Sequence, residues 1–155
     1  MGRNTKIARC IRNCNPLNIR RGAARWQGMS KREDDPSFEQ FENMAYGWRA
    51  AFILLGRTYY EKYHLNTIRK IISRWAPECE NNTKAYIYYV AKQVGCNECD
   101  PLPPPRVAPA VWKKLAWAMF EVEAGRKNVG ALPEQDELRH AMEEGFGLAF
   151  GQVKK

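Results

Sequence analysis

Ala45-Tyr46-Gly47-Trp48-Arg49-Ala50-Ala51-Phe52-Ile53-Leu54-Leu55-Gly56-Arg57-Thr58-Tyr59 is the stretch that decides the fold. Trp48, Phe52, Leu55 and Tyr59 recur every three or four residues, the spacing that stacks side chains along one face of a helix. The run predicts an amphipathic helix over about 44–63. Downstream, Asn66 or Thr67 can cap a second helix with Ile68, Ile71, Ile72 and Trp75 as its buried stripe, and Pro77 forbids its continuation. A third helix is expected from about 83 to Gly95, with Ile87, Val90, Ala91 and Val94 inward and the glycine as its stop. A fourth, about 108–124, buries Trp112, Leu115, Ala116, Met119 and Phe120. A fifth, about 133–150, carries Leu138, Met142, Phe146 and Phe150.

Upstream the pattern changes. Residues 1–16 read as an irregular basic leading segment. Three short strand-like runs follow, 17–20, 25–29 and 37–41, separated by Gly22 and by Asp34-Asp35-Pro36. They predict a small β-hairpin or three-stranded flap. Residues 96–109 form a Pro-rich internal linker, stiffened by Pro101, Pro103, Pro104 and Pro105. The expected fold class is mainly α with this small flap, in one domain over 1–155, a length that buries about two-thirds of the unfolded surface.

Composition limits the function. The chain is 45% hydrophobic and 12% aromatic, which suits a packed core. No apolar run reaches the ~20 residues of a membrane span. The basic stretch from Met1 to Arg12 lacks an apolar centre, so no signal peptide is expected. A net charge of +8, concentrated early in residues such as Arg9, Arg12, Arg20, Arg21 and Arg32, predicts a polyanionic partner. Five cysteines argue against a closed disulfide framework. Cys10 and Cys14 with Cys96 and Cys99 hold enough thiolates for a zinc site. The first pair is loosely spaced and the second lies in a turn before the proline run, so no metal is expected. There is no phosphate-binding loop, no dinucleotide fingerprint, and no Ser or Cys nucleophile in a motif beside His64 or His140.

Two clusters can carry chemistry. The fourth helix ends Phe120-Glu121-Val122-Glu123-Ala124-Gly125. A carboxylate at the end of a buried apolar helix sits at the negative end of the helix dipole in a partly desolvated setting, which suits a general acid. Glu123 continues the buried stripe of Leu115 and Met119, whereas Glu121 leans to the side. The other cluster is Trp75-Ala76-Pro77-Glu78-Cys79-Glu80-Asn81-Asn82-Thr83, with Tyr86 one turn on. Aromatic faces beside amides suit a sugar, and Asn82 equally suits a helix cap. Asn15-Pro16-Leu17-Asn18-Ile19-Arg20 is rich in groups that organise turns and can bond sugar hydroxyls.

Taken in order, Asn15-Pro16-Leu17-Asn18-Ile19-Arg20, Trp26-Gln27-Gly28, Phe38-x-x-Phe41, Tyr46-Gly47-Trp48-Arg49-Ala50 and Glu80-Asn81-Asn82-Thr83-x-x-Tyr86 resemble a phage and prophage family of virion structural or lysis proteins. The front half also resembles bacterial glucosaminidases of the lysozyme superfamily. Those enzymes place their catalytic glutamate before the Asn-Leu element, and residues 1–14 of this chain hold no Glu or Asp. The resemblance therefore implies a lysozyme-like fold with a circular permutation, in which Glu123 packs beside Asn15–Arg20 with Glu80 or Glu39 across the cleft.

The resulting expectation is a glycosidase or lytic transglycosylase acting on the peptidoglycan glycan strand. Glu123 and Glu80 are its catalytic carboxylates, and Asn15, Asn18, Trp26, Glu39, Asn82 and Tyr86 bind substrate. No cofactor is required, and the basic face holds the protein to the anionic cell wall. The protein is expected to be made in the cytoplasm and to reach the wall by holin release, export or as a virion component. A non-catalytic virion or wall-binding module is the alternative. A nucleic-acid-binding phage protein ranks last, because the aromatics follow helical core spacing.

Overall fold

The computed structural model describes residues 8–79 and 81–151. The chain is mainly helical, and the described residues include no strand longer than a single bridge. The helices are α1 (Arg9–Arg12), α2 (Met44–Phe52), α3 (Ile68–Trp75), α4 (Thr83–Val94), α5 (Pro109–Ala124), α6 (Arg126–Gly130) and α7 (Gln135–Phe150). None is long and apolar enough to cross a membrane.

Helix α2 starts where Asn43 accepts the Tyr46 N–H, and it runs directly into a π-helical segment, Ile53–Lys62. Trp48, Phe52, Leu55 and Tyr59 are all buried. In the wider i→i+5 winding, residues five apart share a face, which sets Leu54 and Tyr59 on the same side of this segment. Helix α2 packs most extensively on α7. Gly145 permits this approach, since a Cβ there would lie 2.4 Å from the Cβ of Trp48. Around that contact the rings of Trp48, Phe52, Trp117, Phe120, Phe146 and Phe150 interlock, Phe52 meeting Phe146 edge-on at 5.0 Å. The guanidinium groups of Arg57 and Arg106 donate to the last carbonyls of α7, at Ala149 (3.0 Å) and Phe150 (3.1 Å), where the helix leaves acceptors unmet.

Thr67 caps α3 and Asn82 caps α4, and Gly95 (φ 88°) closes α4 in the left-handed region. The Thr83 hydroxyl donates to the Ala76 carbonyl and ties the end of α3 to the start of α4. The proline-rich connection between α4 and α5 is strapped to the body. Leu102 is buried, Tyr60 Oη donates to its carbonyl (2.8 Å), and Trp112 Nε1 donates to Pro103 O (2.7 Å).

Three local features depart from the sequence expectations. The leading segment contains one helical turn, α1. A short α6 follows Gly125. In place of a continuous ladder, residues 17–41 show two isolated antiparallel bridges, Arg20 with Phe38 and Met29 with Phe41. Gly28 (φ 78°) turns the chain next to one bridge and Pro36, which has no N–H, stands near the other. Side chains supply the order that a ladder would give. Buried Asn13 donates to Asp35 (2.8 Å) and accepts from Gln40 (3.1 Å), and Arg9 pairs with Asp35 at 3.2 Å.

Candidate functional site

The loop 13–20 is built around Asn15. Its amide nitrogen donates to the carbonyls of Ile19 (2.9 Å) and Glu39 (3.0 Å), while its oxygen accepts the Ile19 N–H (2.9 Å). Both ends of a tight loop are thus pinned by one buried side chain. Gly47 lets α2 press against it, because a Cβ there would fall 2.0 Å from the Cys14 carbonyl oxygen. At the tip, Asn18 adopts φ 53°, a left-handed conformation that asparagine tolerates better than most residues. Its amide reaches α5, and Nδ2 donates to Glu123 Oε1 at 3.1 Å. Its Oδ1 is buried without a partner.

Glu123 occupies the last turn of α5, and its second oxygen receives two more bonds. Trp75 Nε1 at the end of α3 donates to Oε2 at 3.2 Å, and Tyr86 Oη on α4 donates to it at 2.9 Å. Three donors from three separate segments therefore fix one carboxylate. Burial, then the adjoining Glu123 charge, drives the Tyr86 phenol well above its ordinary pKa, so it remains a neutral donor. The same two causes push the buried Cys10 thiol up to about 12. Glu121, a half-turn away, is engaged elsewhere and accepts from Tyr89 Oη at 2.6 Å.

Two concavities meet at Glu123. The first is a cleft of about 440 Å³ whose walls include Asn18, Trp26, Glu39, Leu54, Tyr59 and Trp75. Glu39 is only 3% exposed and receives the Gly22 N–H at 3.3 Å. The second, about 410 Å³, is lined by Asn81, Asn82, Tyr86, Tyr89 and Arg126 among others. Asn81 and Glu123 belong to both. Glu123 therefore stands on the boundary between the two.

The residues singled out by sequence are distributed unevenly around this centre. Asn18, Trp26 and Glu39 line the first cleft together with Glu123, and Tyr86 and Asn82 line the second concavity. Asn82 also caps α4 through the Ala85 N–H (3.3 Å). Asn15 is fully buried and absent from both linings; its amide is engaged by the backbone of Ile19 and Glu39, so it shapes the wall without forming it. Glu80 lies outside the described residues. Among the described residues no three His, Cys, Asp or Glu side chains gather as metal ligands. Cys10 is buried, Cys14 and Cys96 half-buried, and Cys99 exposed. Sequence reasoning assigned Trp75 to a buried stripe and a stacking face, and missed that its indole N–H points at Glu123. Leu54, Tyr59 and Arg126 were missed as lining residues, while Asn81 belongs to the amide cluster that the sequence singled out. The Trp-Ala-Pro end of α3 was the available signal for Trp75, because a helix-terminal Trp often keeps one polar edge at a surface.

No protein-family model matches the chain. The chain is 40% identical over 144 residues to "Protein P5" of Pseudoalteromonas phage PM2, a match covering 91% of this chain and 84% of that protein.

Proposed function

The chain belongs to the family of this phage protein, and from that premise we propose that it is a phage glycosidase that cleaves the glycan strand of peptidoglycan, with Glu123 as the general acid. The observation that carries the reading is the Glu123 carboxylate, held by Asn18, Trp75 and Tyr86 where two adjoining concavities meet. A polymer crossing the junction presents a glycosidic oxygen to it. Glu123 protonates that oxygen as the bond to the sugar C1 breaks, and the carboxylate left behind is received by three donors already in place. In the hydrolytic route, water adds to C1 and its proton returns to Glu123, with Glu39 or Glu80 orienting the water or offsetting positive charge on the ring. In the transglycosylase route, the 6-hydroxyl of the muramic residue attacks C1 of the same unit and gives up its proton to Glu123, so no second carboxylate is needed. An acid that follows the Asn-rich loop in sequence is the order that a circularly permuted lysozyme-like fold would have. The basic residues around the loop, Arg12, Arg21 and Arg32 among them, hold the protein to the anionic wall. It reaches the wall as a virion component or after release from the cytoplasm.

Because both Glu123 oxygens already accept from protein donors, a second reading is a wall-binding module in which Glu123 only braces the cleft. Incubation with purified sacculi separates the two. Muropeptides with reducing ends identify a hydrolase, and anhydro-muramic ends identify a transglycosylase. Co-sedimentation without release establishes the binding module and ends the catalytic reading.

A further inference from the structure

A run of rings leads from the first cleft onto the surface. Trp75 and Tyr59 both line the cleft, and their rings meet edge-on at 6.3 Å. The guanidinium of Arg74, on α3, lies 5.7 Å from the Tyr59 ring centroid and 4.9 Å from that of Tyr63. It thus couples the cleft wall to a tyrosine outside the lining. Tyr63 is 42% exposed, against 8% for Tyr59. Its place is fixed by the way the π-helical segment ends. The Tyr63 N–H donates to Thr58 O at 3.1 Å, His64 turns the chain through the left-handed region (φ 59°), and the Leu65 N–H returns to Tyr59 O at 2.8 Å. An exposed ring is therefore held by backbone bonds beside the cleft. Lys62 Nζ lies 5.6 Å from the same ring. The result is an aromatic platform rimmed by N–H donors, in which ring carbons suit the C–H face of a sugar and the donors suit its hydroxyl oxygens.

We infer that Tyr63, with Arg74 beside it, forms an outlying sugar subsite that takes a unit of the glycan strand beyond those seated at Glu123. Trp75 joins the two places, its indole N–H on the Glu123 carboxylate and its ring against Tyr59. A ligand unit over Tyr63 is separated from Glu123 by the widths of Trp75 and Tyr59, so a short oligomer held at the carboxylate does not reach it and a longer one does. The subsite thereby favours long strands over short fragments. The choice of a glycan as its ligand rests on the glycosidase reading.

The test uses the full chain and neutral N-acetylglucosamine oligomers, from the disaccharide to the hexasaccharide, which keep ligand charge out of the readout. Affinities are measured by calorimetry for the wild type, Tyr63→Ala and Tyr63→Phe. The wild type is expected to bind the hexasaccharide more tightly than the disaccharide. Tyr63→Ala should weaken the hexasaccharide about three- to tenfold, the scale of one aromatic contact, and leave the disaccharide within about twofold. Tyr63→Phe, which keeps the ring, should retain most of the hexasaccharide affinity. Tyr63 is exposed, so folding is not at stake, and a matching circular dichroism spectrum checks it. No gain with length in the wild type, a gain that survives Tyr63→Ala, equal weakening of both oligomers, or no binding of either by the wild type overturns the inference. Muropeptide release from sacculi scores the catalytic reading separately. Release that accompanies any of those results leaves that reading standing, and length-dependent binding through Tyr63 without release overturns the catalytic reading alone.

Discussion

Glu123→Gln and Glu123→Ala should separate chemistry from architecture. In the wild type the carboxylate accepts from Asn18 Nδ2 on one oxygen and from Trp75 Nε1 and Tyr86 Oη on the other. Glutamine keeps an oxygen for the Trp75–Tyr86 side and presents its NH₂ to Asn18. The Asn18 amide can then rotate so that its buried, unpartnered Oδ1 accepts that NH₂. Charge-assisted bonds become neutral ones, and the burial of a charge is relieved, so the net loss should stay within about 1–2 kcal/mol. Alanine removes the acceptor that all three donors share. Trp75 and Asn18 open on the cleft and can be rehydrated, whereas the hydroxyl of Tyr86, a buried residue, keeps only a long contact of 3.4 Å to Met119 O. With an orphaned buried donor valued at about 1–3 kcal/mol, the alanine variant should lose about 2–4 kcal/mol in all. For a chain of this length that is a fall in melting temperature of roughly 5–15 °C. Muropeptide release should drop about 10²–10⁴-fold in both variants, the contribution of a positioned general acid. Thermal melts and release kinetics on one preparation give both quantities. Release by the glutamine variant within about tenfold of wild type would refute the acid assignment. A glutamine variant as unstable as the alanine one would refute the three-donor account.

Asp35 should control the acid limb of stability. Its carboxyl falls from 3.8 to about 2, chiefly through the Asn13 amide, then through the Ser37 and Phe38 N–H groups and the Arg9 charge. Because the folded value lies below the unfolded one, the stabilisation is full above the unfolded pKa and drains away as pH falls towards 2. Urea midpoints between pH 5 and 2 should therefore decline less steeply in Asp35→Asn than in the wild type, and parallel declines would exclude this cluster as the cause. Gly47→Ala drives a methyl into the Cys14 carbonyl, so it should destabilise by about 1–3 kcal/mol or more and displace the loop bearing Asn18. A variant with unchanged stability and release would show that the α2–loop contact is not limiting. Alkylation at pH 8 should label exposed Cys79 and Cys99 first and spare Cys10, whose thiol is buried and pushed up to about 12. Peptide mapping that found Cys10 among the early sites would contradict its burial.

The helical frame is legible along the chain. Periodic apolar stripes, the caps at Thr67 and Asn82 and the stops at Pro77, Gly95 and Gly125 each act over a few residues, so local order exposes them. Glu123 was legible for the same reason, as the last polar group on the buried face of α5. The loop was legible only as a place rich in turn-forming side chains. Its expected ladder gave way to bonds from Asn13, Asn15 and Asp35, because these groups compete with strand pairing and nothing local reveals which prevails. The approach of Glu123 to the Asn15–Arg20 loop was expected from the resemblance, but the tertiary structure alone decided that Trp75 and Tyr86, 48 and 37 residues from Glu123, join Asn18 as donors to its carboxylate. It also decided that Asn15 faces inward and that Arg126 borders a second concavity. Such convergence depends on how whole elements pack, α4 against α3 and α5 and, at Gly47, α2 against the loop that carries Asn18, and it leaves no periodic trace along the chain.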